Sequence, residues 1–271
     1  MRERHLASDR MTRRPTLSTV VPLAIAVAAV VAAVVAAVLI SSSGSDSGST
    51  TTGAPAAFDN PSAASERAVQ VALPSVVQIE SPGKLGSGIV FDGDGDIVTN
   101  AHVVAGARSF TVTTQDGTQH QATLRGAFPA DDLAVIRTAD DGLKPARFGD
   151  SSKLKLGERV LAIGNPLGLR SSVTDGIVSA TSRRVSEGNG VTLTSVVQTS
   201  AAINPGNSGG ALIDLTGAVI GIPTLAATDP ELGGSAAPGV GFAISSNTVT
   251  KIASQLASQG RVVKVDRVPH N

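Results

Sequence analysis

Apolar and polar residues form three successive blocks along this chain, and each block predicts a different kind of structure. Val20 to Ile40 is a run of 21 residues without a charged or strongly polar side chain. As a helix rising 1.5 Å per residue, the run would span roughly 31 Å, about one hydrocarbon core of a bilayer. Residues 41–65 are mostly Ser, Gly, Thr, Ala and Pro, which predicts a disordered linker. From residue 66 onward, short apolar runs alternate with turn residues, as in a folded domain.

The charges beside the apolar run predict its orientation. Five arginines outweigh Glu3 and Asp9 in residues 1–14, and segments rich in Arg and Lys stay on the cytoplasmic side. We therefore expect a cytoplasmic segment at 1–19, a single-pass transmembrane helix or signal anchor at 20–40, and an extracytoplasmic remainder. The alternative is a secreted protein with a cleaved signal peptide, although such peptides have a shorter apolar region of about 7–15 residues.

Residues 66–260 predict an all-β fold. A short helical pattern at residues 66–72 is followed by twelve β-rich runs, separated by turn dipeptides such as Asp92-Gly93 and Thr216-Gly217. Repeated short strands without long helices between them indicate a barrel or a sandwich.

One amphipathic helix is expected to follow the last strand. Ser246 or Asn247 can cap its first turn, and Gly260 can end it. Residues 261–271 are too few for another domain and would form a tail. The apolar face of the helix would consist of Val249, Ile252, Ala253 and Leu256.

Composition excludes several classes of function. The chain has no cysteine, and its 22 basic and 22 acidic residues cancel, so there is no thiolate nucleophile, disulfide framework or Cys-ligated metal. A neutral chain with 2% aromatic residues lacks the basic face and stacking rings of nucleic-acid binding. No metal or cofactor is expected. The string Asp92-Gly93-Asp94-Gly95-Asp96 begins like an EF-hand, but Ile97 stands where that loop needs glycine, so we interpret it as a hairpin turn.

The string Gly206-Asn207-Ser208-Gly209-Gly210 is the main candidate for chemistry. A serine hydroxyl is a weak nucleophile that needs a base, room for attack and donors for the oxyanion. The flanking glycines permit a tight turn and the close approach of a substrate carbonyl. The amides of Gly206 and Ser208 could form the oxyanion hole, with Asn207 shaping the loop. Taken alone, the string also fits a hairpin turn.

His102 is the candidate base among four histidines. His5 and His270 lie near the chain ends, and His120 lies in a polar stretch beside a turn. His102 follows a predicted strand and has apolar neighbours, where a buried structural histidine is the alternative interpretation.

Asp132 is the candidate carboxylate that would fix the imidazole tautomer and stabilise its charged form. Asp131 and Asp132 precede an apolar strand, and an isolated buried charge is very costly without a partner. We prefer Asp132 because it adjoins the apolar run. A turn carboxylate exposed to water is the alternative.

The strings around these three residues occur in the order found in a known family. They are Thr99-Asn100-Ala101-His102-Val103-Val104, Asp132-Leu133-Ala134-Val135, and Gln198-Thr199 followed by Ala201 to Gly210. Further matches are residues 164–168, 219–222 and 239–244. Over about residues 66–260, the chain resembles the trypsin-like serine proteases, most closely their HtrA/Deg branch.

The resemblance implies two packed six-stranded antiparallel β-barrels, at about residues 66–148 and 149–260, with the active site between them. It implies that Ser208 attacks the scissile carbonyl, that His102 transfers the proton and that Asp132 orients His102. The substrates would be unfolded or damaged extracytoplasmic polypeptides, cleaved through an acyl-enzyme intermediate. A catalytically silent binding or chaperone-like module and an ester hydrolase are the alternatives.

The resemblance also places a substrate pocket near the serine. In this fold the residue six positions before the serine lies at the base of the pocket, and here it is Ala202. We expect Ile203, Ile222 and Val240 to contribute walls. Without a charge for a Lys or Arg side chain, the pocket should be small and apolar, which predicts cleavage after Val, Ala, Leu or similar residues.

Three departures from the family pattern accompany the resemblance. Ser200 stands where many relatives have aspartate, but that residue is outside the triad, so we expect activity to survive. Relatives commonly continue into one or two PDZ domains, whereas only residues 261–271 follow the last predicted helix here. We therefore expect peptide sensing by such domains to be absent, unless another subunit supplies it. Family members often form homotrimers through aromatic residues before the first barrel, and with only Phe58 there, trimerisation stays an open alternative.

Overall fold

The residues that the computed structural model describes contain twelve strands and three α-helices. These residues are 61–139, 142–165, 172–186, 192–204, 206–229 and 235–263. The predicted anchor at 20–40 and the predicted cytoplasmic segment at 1–19 lie outside them. Within the described ranges, no helix is both long enough and apolar enough to cross a membrane.

The first six strands close into a barrel. In the barrel each strand is antiparallel to its neighbours, in the order β1-β2-β3-β6-β5-β4. The strands are β1 (Val76–Ser81), β2 (Lys84–Val90), β3 (Asp96–Thr99), β4 (Ser109–Thr113), β5 (Gln119–Phe128) and β6 (Leu133–Thr138).

The remaining strands close into a second antiparallel barrel, in the order β10-β11-β12-β9-β8-β7. They are β7 (Arg159–Gly164), β8 (Ser172–Ser186), β9 (Thr192–Thr199), β10 (Ala211–Asp214), β11 (Val219–Asp229) and β12 (Ser235–Ser245). The helices are α1 (Pro61–Ala72), α2 (Ala101–Val104) and α3 (Ser246–Gln259). The all-β prediction with a closing helix is confirmed.

Strand alternation divides the core into layers. On β6, Ala134 and Ile136 point into the first barrel, while Leu133 and Val135 point outward because successive side chains face opposite sides of a strand. The outward residues join apolar side chains from β7, β10, β11, α1 and α3 in one shared core. Strands buried on both faces explain why so many runs are continuously apolar.

Helix α3 packs on this shared core. The four residues predicted for its apolar face are buried there at 1% exposure or less, and Gly260 ends the helix with φ of 69°. The predicted cap is wrong by one or two residues, because Ser245 occupies the N-cap position. Ser246 instead donates its hydroxyl to the carbonyl of Gly149 over 2.7 Å, which ties the helix to the segment before the second barrel.

Helix α1 starts earlier than the sequence predicts. It begins at Pro61, inside the range predicted for the linker, since proline is tolerated in the first turn of a helix. Ala68 and Ala72 are buried in the shared core. The folded region therefore includes residues that composition alone assigned to the linker.

Candidate active site

A short helix after strand β3 places His102. The amide of Ala101 and the side-chain Nδ2 of Asn100 both donate to the carbonyl of Asp132, over 3.1 and 3.0 Å. Helix α2 is therefore attached at its first residue to the segment that precedes β6. The His102 side chain keeps 51% of its surface exposed, so the ring is accessible from solvent.

The side chain of Asp132 contacts His102 directly. It ends a 3-10 turn in the left-handed conformation, with φ of 49°, and its side chain is 5% exposed. Oδ2 lies 2.8 Å from His102 Nδ1, and Oδ1 accepts from the His102 amide over 3.0 Å. One carboxylate thus contacts both the ring and the backbone of the histidine, which fixes the plane of the ring.

Thr224 also contacts the Asp132 carboxylate. The sequence did not indicate this residue. Its hydroxyl donates to Oδ2 of Asp132 over 2.6 Å, and the residue is buried. Thr224 belongs to β11 of the second barrel, whereas Asp132 belongs to the first. No local signal marks Thr224, because its role depends on a partner 92 residues away in the chain.

The loop that carries Ser208 packs closely against the first barrel. Gly206 and Gly209 have positive φ angles of 109° and 80°, which glycine adopts without the steric penalty of other residues. A Cβ at Gly209 would collide with the carbonyl oxygen of Ser87 and the hydroxyl of Thr99. The carbonyl of Ser208 accepts from the Ser87 amide over 3.0 Å, so the nucleophile candidate is held by strand β2.

Asn207 shapes this loop from within. Its Oδ1 accepts from the Asn204 amide over 3.1 Å, and its Nδ2 donates to the Ala202 carbonyl over 3.1 Å. Its own amide donates to the Asn204 carbonyl over 3.2 Å. Since that amide is already engaged in the loop, Asn207 would contribute to an oxyanion hole by shaping the loop and not by donating its own amide.

The structure brings the three triad candidates to the junction of the two barrels without closing the full chain of hydrogen bonds. His102 and Asp132 are in direct contact. Among the described residues, no hydrogen bond joins the Ser208 hydroxyl to the His102 ring. Catalytic hydrogen bonds are often longer without substrate and tighten in the complex, so this geometry is compatible with a resting serine hydrolase.

The four residues predicted for the substrate pocket lie in different surroundings. Ala202 is exposed and Val240 is half-buried, while Ile203 belongs to the core of the second barrel with 7% exposure. Ile222 is fully buried in the shared core, so it has no surface to offer a substrate. A Cβ at Gly241 would collide with Ile203. Strand β12 therefore packs closely against the segment before Ser208.

The acidic string between β2 and β3 forms a hairpin turn. Asp92 Oδ1 accepts from the amides of Asp94 and Asp96, over 3.0 and 3.2 Å. Asp96 is fully buried and pairs with Arg137, whose Nε lies 2.6 Å from Asp96 Oδ1. This hydrogen bond raises the pKa of Arg137. The Asp92 carboxylate therefore binds backbone amides of the turn, and the Asp96 carboxylate binds Arg137.

Comparison with known proteins identifies a common domain. Residues 86–222 match the trypsin-like peptidase domain. The serine protease Do-like HtrA of Bacillus subtilis is 44% identical over 203 residues, which cover 69% of this chain and 44% of that protein. The "Probable periplasmic serine endoprotease DegP-like" of Brucella suis is 44% identical over 185 residues, which cover 68% of this chain and 35% of that protein.

A solved structure has the same fold. The HtrA-type protease AlgW with tripeptide superposes with a TM-score of 0.65 at 38% identity, over 73% of this chain and 64% of that one. The chain spans less than half the length of the two curated relatives named above.

Proposed function

Since the chain belongs to the trypsin-like peptidase family and is HtrA-like within it, we propose that it is a serine endopeptidase. Ser208 is the nucleophile, His102 the general base and Asp132 the carboxylate that orients the base. The observation that carries this proposal is the contact of 2.8 Å between His102 Nδ1 and Asp132 Oδ2, supported by the Thr224 hydroxyl on the same oxygen.

The orientation of the imidazole supports its role as a base. A carboxylate at Nδ1 favours the tautomer that carries its proton there, which leaves the lone pair of Nε2 free to accept a proton. Ser208 Oγ forms a bond to the carbonyl carbon of the substrate as its proton passes to Nε2. The same proton then goes to the leaving amine as the peptide bond breaks, and water hydrolyses the acyl-enzyme by the reverse route.

The amides of Gly206 and Ser208 are proposed as the oxyanion hole. Three neighbouring amides are already used inside the protein, since Asn207, Gly209 and Gly210 donate to main-chain carbonyls over 3.0–3.2 Å. The positive φ of Gly206 lets the loop turn so that two amides can converge on one oxygen. Donors fixed in advance stabilise the charge that develops in the transition state.

The proposed substrates are unfolded polypeptides cut after small aliphatic residues. Ala202 is exposed and offers no charge to a basic side chain, Val240 is half-buried, and Ile203 adds the 7% of its surface that remains exposed. Ile222 is removed from this proposal because it is fully buried. A pocket without charge favours Val, Ala or Leu because burial of an apolar side chain is favourable while burial of an unpaired charge is costly.

We propose an extracytoplasmic location with the protein anchored through residues 20–40. The support is the run of 21 apolar residues behind five arginines, together with the periplasmic relative from Brucella suis. Residues 41–60 would then connect the anchor to helix α1. A homotrimer remains an alternative to a monomer.

The proposal is tested with the full chain and its Ser208→Ala variant, each reconstituted in detergent and incubated with an unfolded protein such as casein. Fragments are mapped by mass spectrometry. Cleavage by the parent alone, after small aliphatic residues, is the expected result. Cleavage by neither protein would contradict an endopeptidase and favour a silent binding module, while equal cleavage by both would indicate a contaminating protease.

A further inference from the structure

Ser87 is a fully buried serine of strand β2 that contacts the nucleophile loop from the opposite barrel. Its hydroxyl donates to the carbonyl of Gly206 over 2.6 Å. The same oxygen accepts from the amide of Asn165 over 2.8 Å. One hydroxyl therefore joins the loop that carries Ser208 to the residue that directly follows strand β7.

The backbone of Ser87 adds two more contacts on the same side. Its amide donates to the carbonyl of Ser208 over 3.0 Å, and its carbonyl accepts from the Thr99 hydroxyl over 2.6 Å. Ser87 thus holds the carbonyls of two residues, Gly206 and Ser208, whose amides are the oxyanion donors proposed above. The Ser208 contact is made by backbone, so only the Gly206 contact depends on the side chain.

We propose that Ser87 is a positioning residue that keeps the oxyanion loop in its working conformation through the Gly206 carbonyl. Glycine rotates about its backbone bonds more freely than other residues, and the peptide unit between Gly206 and Asn207 is planar. A bond to its carbonyl therefore fixes the direction of that whole unit, which lies between the two oxyanion amides. The inference rests on the proposed endopeptidase function.

The test compares Ser87→Ala with Ser246→Ala in the full chain. Ser246 is also fully buried and also donates its hydroxyl to a main-chain carbonyl, over 2.7 Å, but it lies at the start of α3. Both substitutions remove one buried hydroxyl, so both should lower the melting temperature. Only Ser87→Ala removes a restraint on the nucleophile loop.

We expect Ser87→Ala to lower kcat by about 10- to 100-fold, below the loss for a directly contacting oxyanion donor, with KM changed by less than about 2-fold. Its inhibition by a peptidyl boronate should weaken by a similar factor, because the tetrahedral boron adduct uses the same amides. Ser246→Ala should keep the kcat and inhibition of the parent. Equal kcat in all three proteins, or a loss confined to KM, would overturn the inference.

Hydrogen–deuterium exchange of residues 204–210 separates this inference from the proposed function, since it does not need turnover. Faster exchange of this segment in Ser87→Ala than in the parent and in Ser246→Ala is the expected result. If the parent were inactive, the same difference would still support the positioning role while the endopeptidase proposal failed. Unchanged exchange in Ser87→Ala would overturn the role whether or not the parent cleaves substrate.

Discussion

Thr224 and Asp132 belong to different barrels, yet the Thr224 hydroxyl lies 2.6 Å from Oδ2 of Asp132. The same oxygen contacts His102 Nδ1, so the second barrel helps to hold the carboxylate that is proposed to orient the base. A hydrogen bond to a charged group is worth about 1.5–3 kcal/mol. This contact is large enough to influence the rate of catalysis.

Substitution Thr224→Val should therefore reduce kcat by about 10- to 100-fold, because a contact of about 1.5–3 kcal/mol to the carboxylate is lost. The replacement keeps the shape of the side chain and removes only the hydroxyl. Steady-state hydrolysis of a peptide with valine before the scissile bond measures the effect. Thr224→Ser retains the hydroxyl and should keep most of the rate, and equal rates for the Val and Ser variants would contradict the role of the hydroxyl.

Asp132→Asn should lower kcat by about 10⁴-fold, because the amide favours the wrong imidazole tautomer. The adjacent Asp131 is also buried, which makes Asp131→Asn the appropriate comparison. The kcat of each variant is measured from product formed over long incubations, because the rates will be low. A larger loss for Asp131→Asn than for Asp132→Asn would show that the wrong carboxylate had been assigned to the triad.

Arg137→Ala should destabilise the fold by about 3–5 kcal/mol, because it leaves the buried charge of Asp96 without its partner. The Asp96 side chain has no exposed surface. Urea unfolding of the parent and variant measures the free energy of unfolding.

Arg159 provides the matched control for this prediction. It pairs with Asp175 over 3.3 Å, with side chains 42% and 70% exposed, and exposed pairs contribute about 0–1 kcal/mol. Arg159→Ala should therefore cost far less than Arg137→Ala. Equal losses would mean that burial of Asp96 does not control the energetics of its pair.

Asp150→Asn should flatten the dependence of stability on pH in acid. Hydrogen bonds from Ser152 and Asn247 hold the pKa of Asp150 well below its ordinary value of 3.8. A carboxyl group with a depressed pKa stabilises the folded state above its unfolded pKa, and this stabilisation is lost as pH falls through the folded pKa. Urea unfolding between pH 5 and pH 2 should show the parent losing more stability than the variant, and parallel curves would contradict the prediction.

The sequence indicated that His102 and Asp132 act together, but it did not indicate the side-chain contacts that cross between the barrels. His102 and Asp132 come from recognisable strings, and the structure joins them at 2.8 Å. Thr224 and Ser87 are separated from their partners by 92 and 119 residues. No local pattern records such pairs, because they arise only when the two barrels pack together.

One predicted pocket residue, Ile222, lies in the shared core. It is two positions before Thr224 on β11, but the pairing of β11 with β12 shifts register between Pro223 and Leu225. Thr224 lies at this irregularity and contacts Asp132. The apolar character of Ile222 does not show which way its side chain faces, and no sequence pattern marks the register shift.

The last part of strand β8 carries little hydrophobic signal. Most of its residues after Thr181 are polar and exposed, yet the strand continues to Ser186. Pairing with β9, as between Ser186 and Thr192, and the packing of Val185 against the cluster of Leu193, Val196 and Phe242 support this extension. One apolar residue among polar neighbours gives little hydrophobic pattern by which to predict a strand.

The division of the proposed site between two barrels makes its assembly depend on the last part of the chain to fold. His102 and Asp132 are supplied by the first barrel and Ser208 by a loop of the second, and the bonds from Ser87 and Thr224 form only when both are folded and docked. During synthesis the first barrel emerges with the proposed base and without the proposed nucleophile. Under the proposed function, peptide cleavage becomes possible only after the second barrel has folded and docked.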